Sequence, residues 1–211
     1  LEKINNLILS RNIPRNLLEE IKDSAKKLGI VKIALVGGLV RDQILTELKI
    51  KNFQSLKDID LVMEGSAELL ANELKSRLSV KRISKISFHK EYLTVSMVID
   101  GVEIDLASAR TEKYPAPGEN PIVYNSFLEK DLSRRDFSIN SVAFELFTHT
   151  LLDPHEGQKD LIQKKLVLLH PKSIEDDPTR IIRGARYSSR LEFELSPNSL
   201  KQIKSTLDKW P

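Results

Sequence analysis

Residues Val36–Val62 read VGGLVRDQILTELKIKNFQSLKDIDLV, and the fold turns on this stretch. The apolar run Ile33, Ala34, Leu35 and Val36 predicts a short strand that feeds a Gly37-Gly38 turn. A helix over Val40–Leu48 follows, with Arg41 and Asp42 at its start. A second strand, Ile59–Val62, then presents Asp58 and Asp60 on one face, because side chains in a strand repeat every second residue. A glycine turn lets backbone N–H groups approach a polyphosphate, and a helix start adds a favourable field for anions. Two carboxylates on one face suit Mg²⁺ when substrate phosphates supply its other oxygens. Either pattern alone has a plain explanation, a sterically required glycine or a solvated strand end. In this order and about twenty residues apart, they read together as a site for nucleotidyl transfer.

The flanking chain alternates helix and strand signals. Leu17, Leu18, Ile21, Ala25 and Leu28 predict a helix over Pro14–Leu28, closed by Gly29. A lysine-bearing loop separates the Val40–Leu48 helix from the second strand, and Ser66 reads as the N-cap of a helix through Leu78. Alternating runs at Tyr92–Ile99 and Val102–Ala107 flank Asp100-Gly101, a strong hairpin signal. Pro115–Pro121 (PAPGENP) reads as a loop and a candidate mobile element. Ser138–Phe147 is an apolar run of helical or strand-like character, and Leu151–Gly157 a turn. From Ile181 onward the pattern is helical and basic, with Arg180, Arg183, Arg186 and Arg190 at three- and four-residue steps. The expectation is a mixed α/β head over residues 1–150 and a helical continuation over 151–211.

Composition bounds this reading. The 211 residues are 40% hydrophobic and 30% charged, a globular, soluble balance that is neither disordered nor membrane-spanning. No apolar run approaches twenty residues and the N-terminus lacks a signal-peptide layout, so no membrane partner is expected. The absence of cysteine excludes disulfides, zinc ribbons and thiol catalysis, and suits a cytoplasmic location. With a net charge of only +3, a polyanion would have to be held by a local basic patch. The chain starts at Leu1 and stops at Trp210-Pro211 inside a charged helical pattern, as a fragment of something longer would.

Three further constellations carry chemistry. Asp105, in EIDLAS on the second hairpin strand, is either a third carboxylate for metal binding or proton removal, or a solvated edge-strand residue. Asp131–Asn140 (DLSRRDFSIN) offers an Arg135–Asp136 pair that could clamp a triphosphate or ribose while Phe137 and Ile139 bury their side chains. Its alternative is a capped helix start with surface ion pairs. Asp176–Tyr187 (DDPTRIIRGARY) aligns Asp177, Arg180 and Arg183 along one helical side. A carboxylate beside a guanidinium can read a Watson–Crick edge, and Arg183 and Arg186 could equally meet phosphates; the alternative is a basic helix held in salt bridges.

Residues 17–195 resemble the class II tRNA nucleotidyltransferase and bacterial poly(A) polymerase family, within the polymerase-β-like nucleotidyltransferases. The resemblance rests on VGGLVRD with KDIDLV, then EIDLASAR, LSRRDFSIN and DDPTRIIRGARYSSRLEF, in the family's order. It implies an α+β fold: a head with a mixed sheet flanked by helices, followed by an α-helical neck, here without the body and tail that grip tRNA strongly. By position it implies Asp58 and Asp60 as Mg²⁺ ligands; Asp105 joins them as a catalytic candidate on the reading of its own strand. Gly38 and Arg41 take the place of triphosphate contacts, Arg135 and Asp136 that of the ribose and phosphate clamp, and Asp177 with Arg180 that of the template selecting CTP or ATP. Gly37, Asp42, Asn140, Arg183 and Arg186 complete the implied nucleotide-binding set. The implied reaction is attack of a tRNA 3′-hydroxyl on the α-phosphate, with two metals assisting.

The chain departs from the family in places. Asp176-Asp177 stands where Glu-Asp is usual. Poly(A) polymerases of the family carry an Arg-rich stretch before the hairpin, whereas SFHKEY (residues 87–92) is not of that kind, which favours tRNA over the poly(A) alternative. The segment RTEKYPAPGENPIVYNS (residues 110–126) departs from the loop of full CCA-adding enzymes and hints at partial addition. A catalytically silent nucleotide- or RNA-binding module would be expected to have lost Asp58, Asp60, Arg41 or Arg135, and all are present.

Overall fold

The computed structural model describes residues 15–52 and 58–209. Helix α1 (Arg15–Lys27) buries Leu17, Leu18, Ile21 and Ala25, the face its spacing predicts; Pro14 lies outside the described residues. Strand β1 (Ile33–Leu35), helix α2 (Gly38–Glu47) and strand β2 (Asp58–Met63) follow. Most of the lysine-bearing loop, residues 53–57, lies outside the described residues. Helix α3 (Ala67–Arg77) starts at the expected cap, with Ser66 Oγ accepting from Leu69 N at 3.2 Å. Such a cap stabilises a helix by about 1 kcal/mol.

Strands β3 (Ile83–His89), β4 (Thr94–Ile99) and β5 (Val102–Ser108) form a meander. Asp100 and Gly101 both adopt positive φ (52° and 80°), as a two-residue turn between twisted strands demands. Strands β6 (Arg110–Lys113) and β7 (Ile122–Asn125) make a separate antiparallel ribbon. Helix α4 (Leu128–Ser133) leads to a short 3₁₀ turn at Ser138–Asn140 and to strands β8 (Ala143–Glu145) and β9 (Thr150–Leu152). Ser138–Phe147 is therefore a turn and a strand rather than one run, and the expected turn at Leu151 begins inside β9. A strand thus spans residues 150–152, pairing with β8 in the main sheet. The remainder comprises α5 (Gly157–Ile162), β10 (Lys165–Leu166), α6 (Ser173–Asp176), α7 (Thr179–Leu191), β11 (Glu194–Leu195) and α8 (Pro197–Lys209). Among the described residues no helix is long and apolar enough to cross a membrane.

The seven-stranded sheet runs β3-β4-β5-β2-β1-β8-β9, antiparallel throughout except for the parallel β2–β5 pair. That parallel pair needs a long crossover, which α3 and the β3–β4 hairpin supply. Ile33, Leu35, Ile59, Leu61, Ile104 and Leu106 face α1 and α3 in the main core. Ala34, Val36, Val62 and Ala143 face the other way, under Leu128 and Leu132 of α4. This second apolar patch is small. On β2 the side chains two and four positions before Val62 on that face are Asp60 and Asp58, where the sheet surface turns from apolar to acidic.

Candidate active site

Asp60 and Asp105 stand directly opposite each other in the parallel β2–β5 register, as do Asp58 and Glu103. The two strands therefore lay four carboxylates side by side on one sheet face. Burial raises the Asp60 pKa above its ordinary 3.8; Arg135 opposes this, while Asp105 and Asp58 push it further up. A row of mutually repelling carboxylates is relieved by a divalent cation, and one or two carboxylates completed by phosphate oxygens is the way Mg²⁺ is commonly held. Among the described residues no cluster of three or more His, Cys, Asp or Glu side chains converges to hold a metal unaided. The donor set thus fits a metal shared with a phosphate-bearing substrate.

Gly37 fills the turn between β1 and α2 at φ 70° and ψ −136°. A Cβ there would lie 3.0 Å from Asp60 Oδ2, so the residue must be glycine for both conformation and space. α2 begins at Gly38, two residues earlier than its apolar pattern suggested, and no side chain caps its first turn. Those N–H groups are left for an anion.

A closed polar circuit joins this turn to α7. Arg41, almost fully buried, donates from Nε to Asp42 Oδ1 (2.7 Å) and from Nη1 to Asn140 Oδ1 (2.8 Å). Asn140 Nδ2 donates to Asp136 Oδ1 (3.0 Å), and Arg183 Nε donates to Asp136 Oδ2 (2.8 Å). Arg183 Nη2 reaches Tyr187 Oη at 3.3 Å, and the Tyr187 ring lies 5.2 Å from the Arg41 guanidinium. Arg41 is thus held by neighbours on three sides, and Asp42 serves as its anchor while also meeting Arg190 at 2.7 Å. Gly184 lets α7 approach this circuit, since a Cβ there would lie 3.0 Å from Phe137 Cζ.

Arg134 and Arg135 leave the end of α4, and both are held by Asp131, a fully buried residue one turn earlier. Burial pushes the Asp131 pKa up, but Arg135 and Arg134 together outweigh it and hold the carboxyl below its ordinary value. Arg134 also meets Glu112 of β6 at 2.6 Å, and Tyr114 Oη donates to the other Glu112 oxygen at 2.9 Å. Arg135 Nε is buried without a hydrogen-bond partner. A buried donor left unpaired is costly; the part of this guanidinium that faces the glycine turn is Nη1, 4.0 Å from where a Gly37 Cβ would lie.

Asp177 and Arg180 meet at 3.6 Å at the start of α7. Asp177 Oδ1 accepts from Thr179 N (3.0 Å) and Oγ1 (2.5 Å). Arg180 is buried, with Nη1 contacting Ser173 Oγ (2.6 Å), His170 Nε2 (3.1 Å) and the Arg135 carbonyl (3.3 Å), and Nη2 donating to the Arg134 carbonyl (2.9 Å). Of its five N–H groups, Nε–H faces Asp177 Oδ2 at 3.6 Å, beyond hydrogen-bond length, and one on Nη2 remains for another partner. Asp177 keeps Oδ2. The pair therefore offers an acceptor beside a donor.

One cleft of about 640 Å³ gathers Gly37, Gly38, Arg41, Asp60, Arg135, Asp136, Asn140, Asp177, Arg180, Arg183 and Arg186 on its wall. That volume accommodates a small organic ligand. Eight arginines and six carboxylates line it, a wall suited to a polyanion with polar appendages. Asp42, Asp58 and Asp105 lie off this wall, Asp42 behind Arg41 and the other two along the strands beside Asp60. The PAPGENP segment closes one side: Gly118 N donates to the Glu175 carbonyl at 3.0 Å, and a Cβ on Gly118 would lie 3.6 Å from Pro178. Sequence reasoning passed over Asp131, Glu112, Tyr114, His170 and Tyr187 as members of this neighbourhood. Asp131 had a signal, since it sits three and four residues before Arg134 and Arg135. The others are joined only by the fold.

The chain is similar to known proteins over most of its length. Residues 33–167 match the family described as the Poly A polymerase head domain. An A-adding tRNA nucleotidyltransferase of Aquifex aeolicus is 37% identical over 177 residues, covering 82% of this chain and 20% of that protein. A CC-adding tRNA nucleotidyltransferase of Deinococcus radiodurans is 35% identical, covering 83% of this chain and 45% of that protein. The structure of a CCA-adding enzyme in an apo form aligns over 98% of this chain and 47% of its own, with a TM-score of 0.81 and 32% identity. A tRNA nucleotidyltransferase complexed with a primer tRNA and an incoming ATP analog aligns over 89% of this chain and 50% of its own, with a TM-score of 0.70 and 31% identity. The chain spans half or less of each of these proteins. With its mixed sheet, its glycine turn and its ordered motifs, the chain belongs to the poly(A) polymerase head-domain family of nucleotidyltransferases.

Proposed function

We propose that this chain is the nucleotide-binding and catalytic portion of a tRNA 3′-end nucleotidyltransferase that adds C or A from CTP or ATP. The observation that carries the reading is the single cleft in which Asp60, the Gly37-Gly38 turn, Arg135 and the Asp177–Arg180 pair meet. The triphosphate would lie across the first turn of α2 beside the Arg135 Nη1 group, with Arg183 adding positive charge. The base would meet Asp177 Oδ2 and the remaining Nη2 N–H of Arg180. Cytosine and adenine each present an exocyclic amine beside an unprotonated ring nitrogen, and that order matches an acceptor beside a donor. Uracil and guanine present a carbonyl beside a ring N–H and mismatch.

Asp58 and Asp60, with Asp105 alongside, would hold Mg²⁺. The metal supplies positive charge against the attacking and leaving oxygens. Asp105 would accept the proton of the RNA 3′-hydroxyl as the O3′–Pα bond forms and the bond to the β-phosphate oxygen breaks, releasing pyrophosphate. A cytoplasmic location fits a tRNA substrate and a cysteine-free chain. The β6–β7 segment, in its departure from the loop of full CCA-adding enzymes, supports partial addition over the whole CCA sequence.

The test uses the full-length protein, tRNA lacking its last one, two or three nucleotides, Mg²⁺ and each labelled triphosphate singly. Incorporation of CTP or ATP into one class of shortened tRNA is the expected result. Failure with every tRNA would sink the reading, and A-tails on unrelated RNA would transfer it to poly(A) synthesis.

A further inference from the structure

Arg180 can read a base edge only if its guanidinium plane is fixed, and the groups that fix it come from two places. The Arg134 and Arg135 carbonyls hold it from the head, while Ser173 Oγ and His170 Nε2 hold it from the chain leading into α6. A guanidinium only donates, so His170 Nε2 must accept, which assigns the neutral ring with its proton on Nδ1. Nδ1 faces Asp176 Oδ2 at 3.8 Å. The His170 backbone is itself tied down, its carbonyl accepting from Gln202 Nε2 of α8 at 3.0 Å and from Ser173 N at 3.1 Å. The imidazole therefore sits on an anchored loop with its acceptor aimed at the base-reading arginine.

We propose that His170 is a positioning residue for base selection, holding the Arg180 guanidinium in the plane from which its remaining Nη2 N–H faces the base beside Asp177. This rests on the reading of Asp177 and Arg180 as the base-reading pair. The charged groups facing His170 are Arg180 of α7, Asp176 of α6 and Glu112 of β6. Burial, then Arg180, depress the His170 pKa below 6.5; the two acids oppose this and are outweighed. Protonation at Nε2 would replace an acceptor by a cation 3.1 Å from Arg180 Nη1. Selection for cytosine or adenine over uracil and guanine should accordingly weaken toward acid pH, with the chemical step less affected.

The test measures kcat and KM for all four triphosphates with the full-length protein and its shortened tRNA substrate, from pH 5.5 to 8. His170→Ala should raise the cognate KM about tenfold at neutral pH, with little change in kcat and with discrimination against UTP and GTP reduced by a similar factor. His170→Gln, whose amide oxygen can replace the Nε2 acceptor, should restore discrimination and remove its acid dependence. Unchanged discrimination in His170→Ala, a wild-type pH profile in His170→Gln, or an equal kcat loss for all four triphosphates would each overturn the proposal. Should His170→Ala fail to fold, the Gln variant and the wild-type pH profile decide the matter. Asp177→Ala separates the two levels. If it leaves selectivity intact, the base-reading assignment itself is wrong; if it abolishes selectivity while both His170 variants behave as wild type, only the role of His170 falls.

Discussion

Gly37 and Asp60 occupy adjoining space: a Cβ on residue 37 would lie 3.0 Å from Asp60 Oδ2, and φ at residue 37 is 70°. Gly37→Ala therefore does two things at once. It strains the turn by about 1–3 kcal/mol, which a thermal melt detects as a lower midpoint. It also pushes the Asp60 carboxylate aside by a few tenths of an ångström, which slows the chemical step in proportion to how tightly the metal geometry is set. The expected result is a fall in kcat well beyond what the lost stability explains.

Asp136 separates binding from stability. Its Oδ2 holds the half-exposed Arg183, while its Oδ1 accepts from the buried Phe137 N (2.7 Å) and Asn140 Nδ2. Asp136→Asn keeps an acceptor for the buried donors and weakens only the link to Arg183. Stability should fall by no more than about 1 kcal/mol, while the triphosphate KM rises about tenfold. Asp136→Ala strands the buried donors and should cost about 2–3 kcal/mol in a denaturant titration.

Asp131 carries a pH signature. Its folded pKa lies below the ordinary 3.8 because Arg135 and Arg134 outweigh its burial. A carboxyl shifted down contributes stability that is fully present above 3.8 and is lost as pH falls through the folded value. Acid titration of the melting temperature should show this loss, and Asp131→Asn should remove that component of the slope. At neutral pH the same variant leaves two arginines without their buried counter-charge and should cost about 3 kcal/mol.

Two histidines act on the other side of the pH scale. His155, 3.1 Å from Ser133 Oγ, and His170 both have pKa values held below 6.5, in each case chiefly by burial. The unfolded chain then takes up protons more readily than the folded one as pH falls through 6.5, so stability is full above that value and declines below it. Melting temperatures between pH 7.5 and 5.5 should show this decline, and it should shrink in the His155→Gln, His170→Gln double variant.

The Val36–Val62 stretch was legible because each signal in it is local. Period-two alternation put Asp58 and Asp60 on one face, a glycine pair marked the turn, and Asp100-Gly101 marked the hairpin for the same reason. β3 was not legible: ISKISFH has no fully buried residue and so lacks the apolar alternation that announces a strand. The four-residue strand β6 (RTEK) was hidden by its polar composition, and β7 (IVYN) by its brevity and the proline-rich segment before it. At the site, residue types at motif positions could be named from sequence, but their attachments could not. Tyr187 beneath Arg41, Glu112 against Arg134 and His170 against Arg180 depend on how α7 and the β6–β7 ribbon close over the sheet. Nothing in local periodicity encodes those meetings.

The central claim is that the acidic face of β2 drives nucleotidyl transfer. The most direct measurement is single-turnover incorporation of labelled CTP or ATP into shortened tRNA by the full-length protein carrying Asp58→Ala or Asp60→Ala. Either variant is predicted to lose at least about a thousandfold in rate, with its melting temperature and triphosphate binding retained. Wild-type incorporation by either variant would contradict the account.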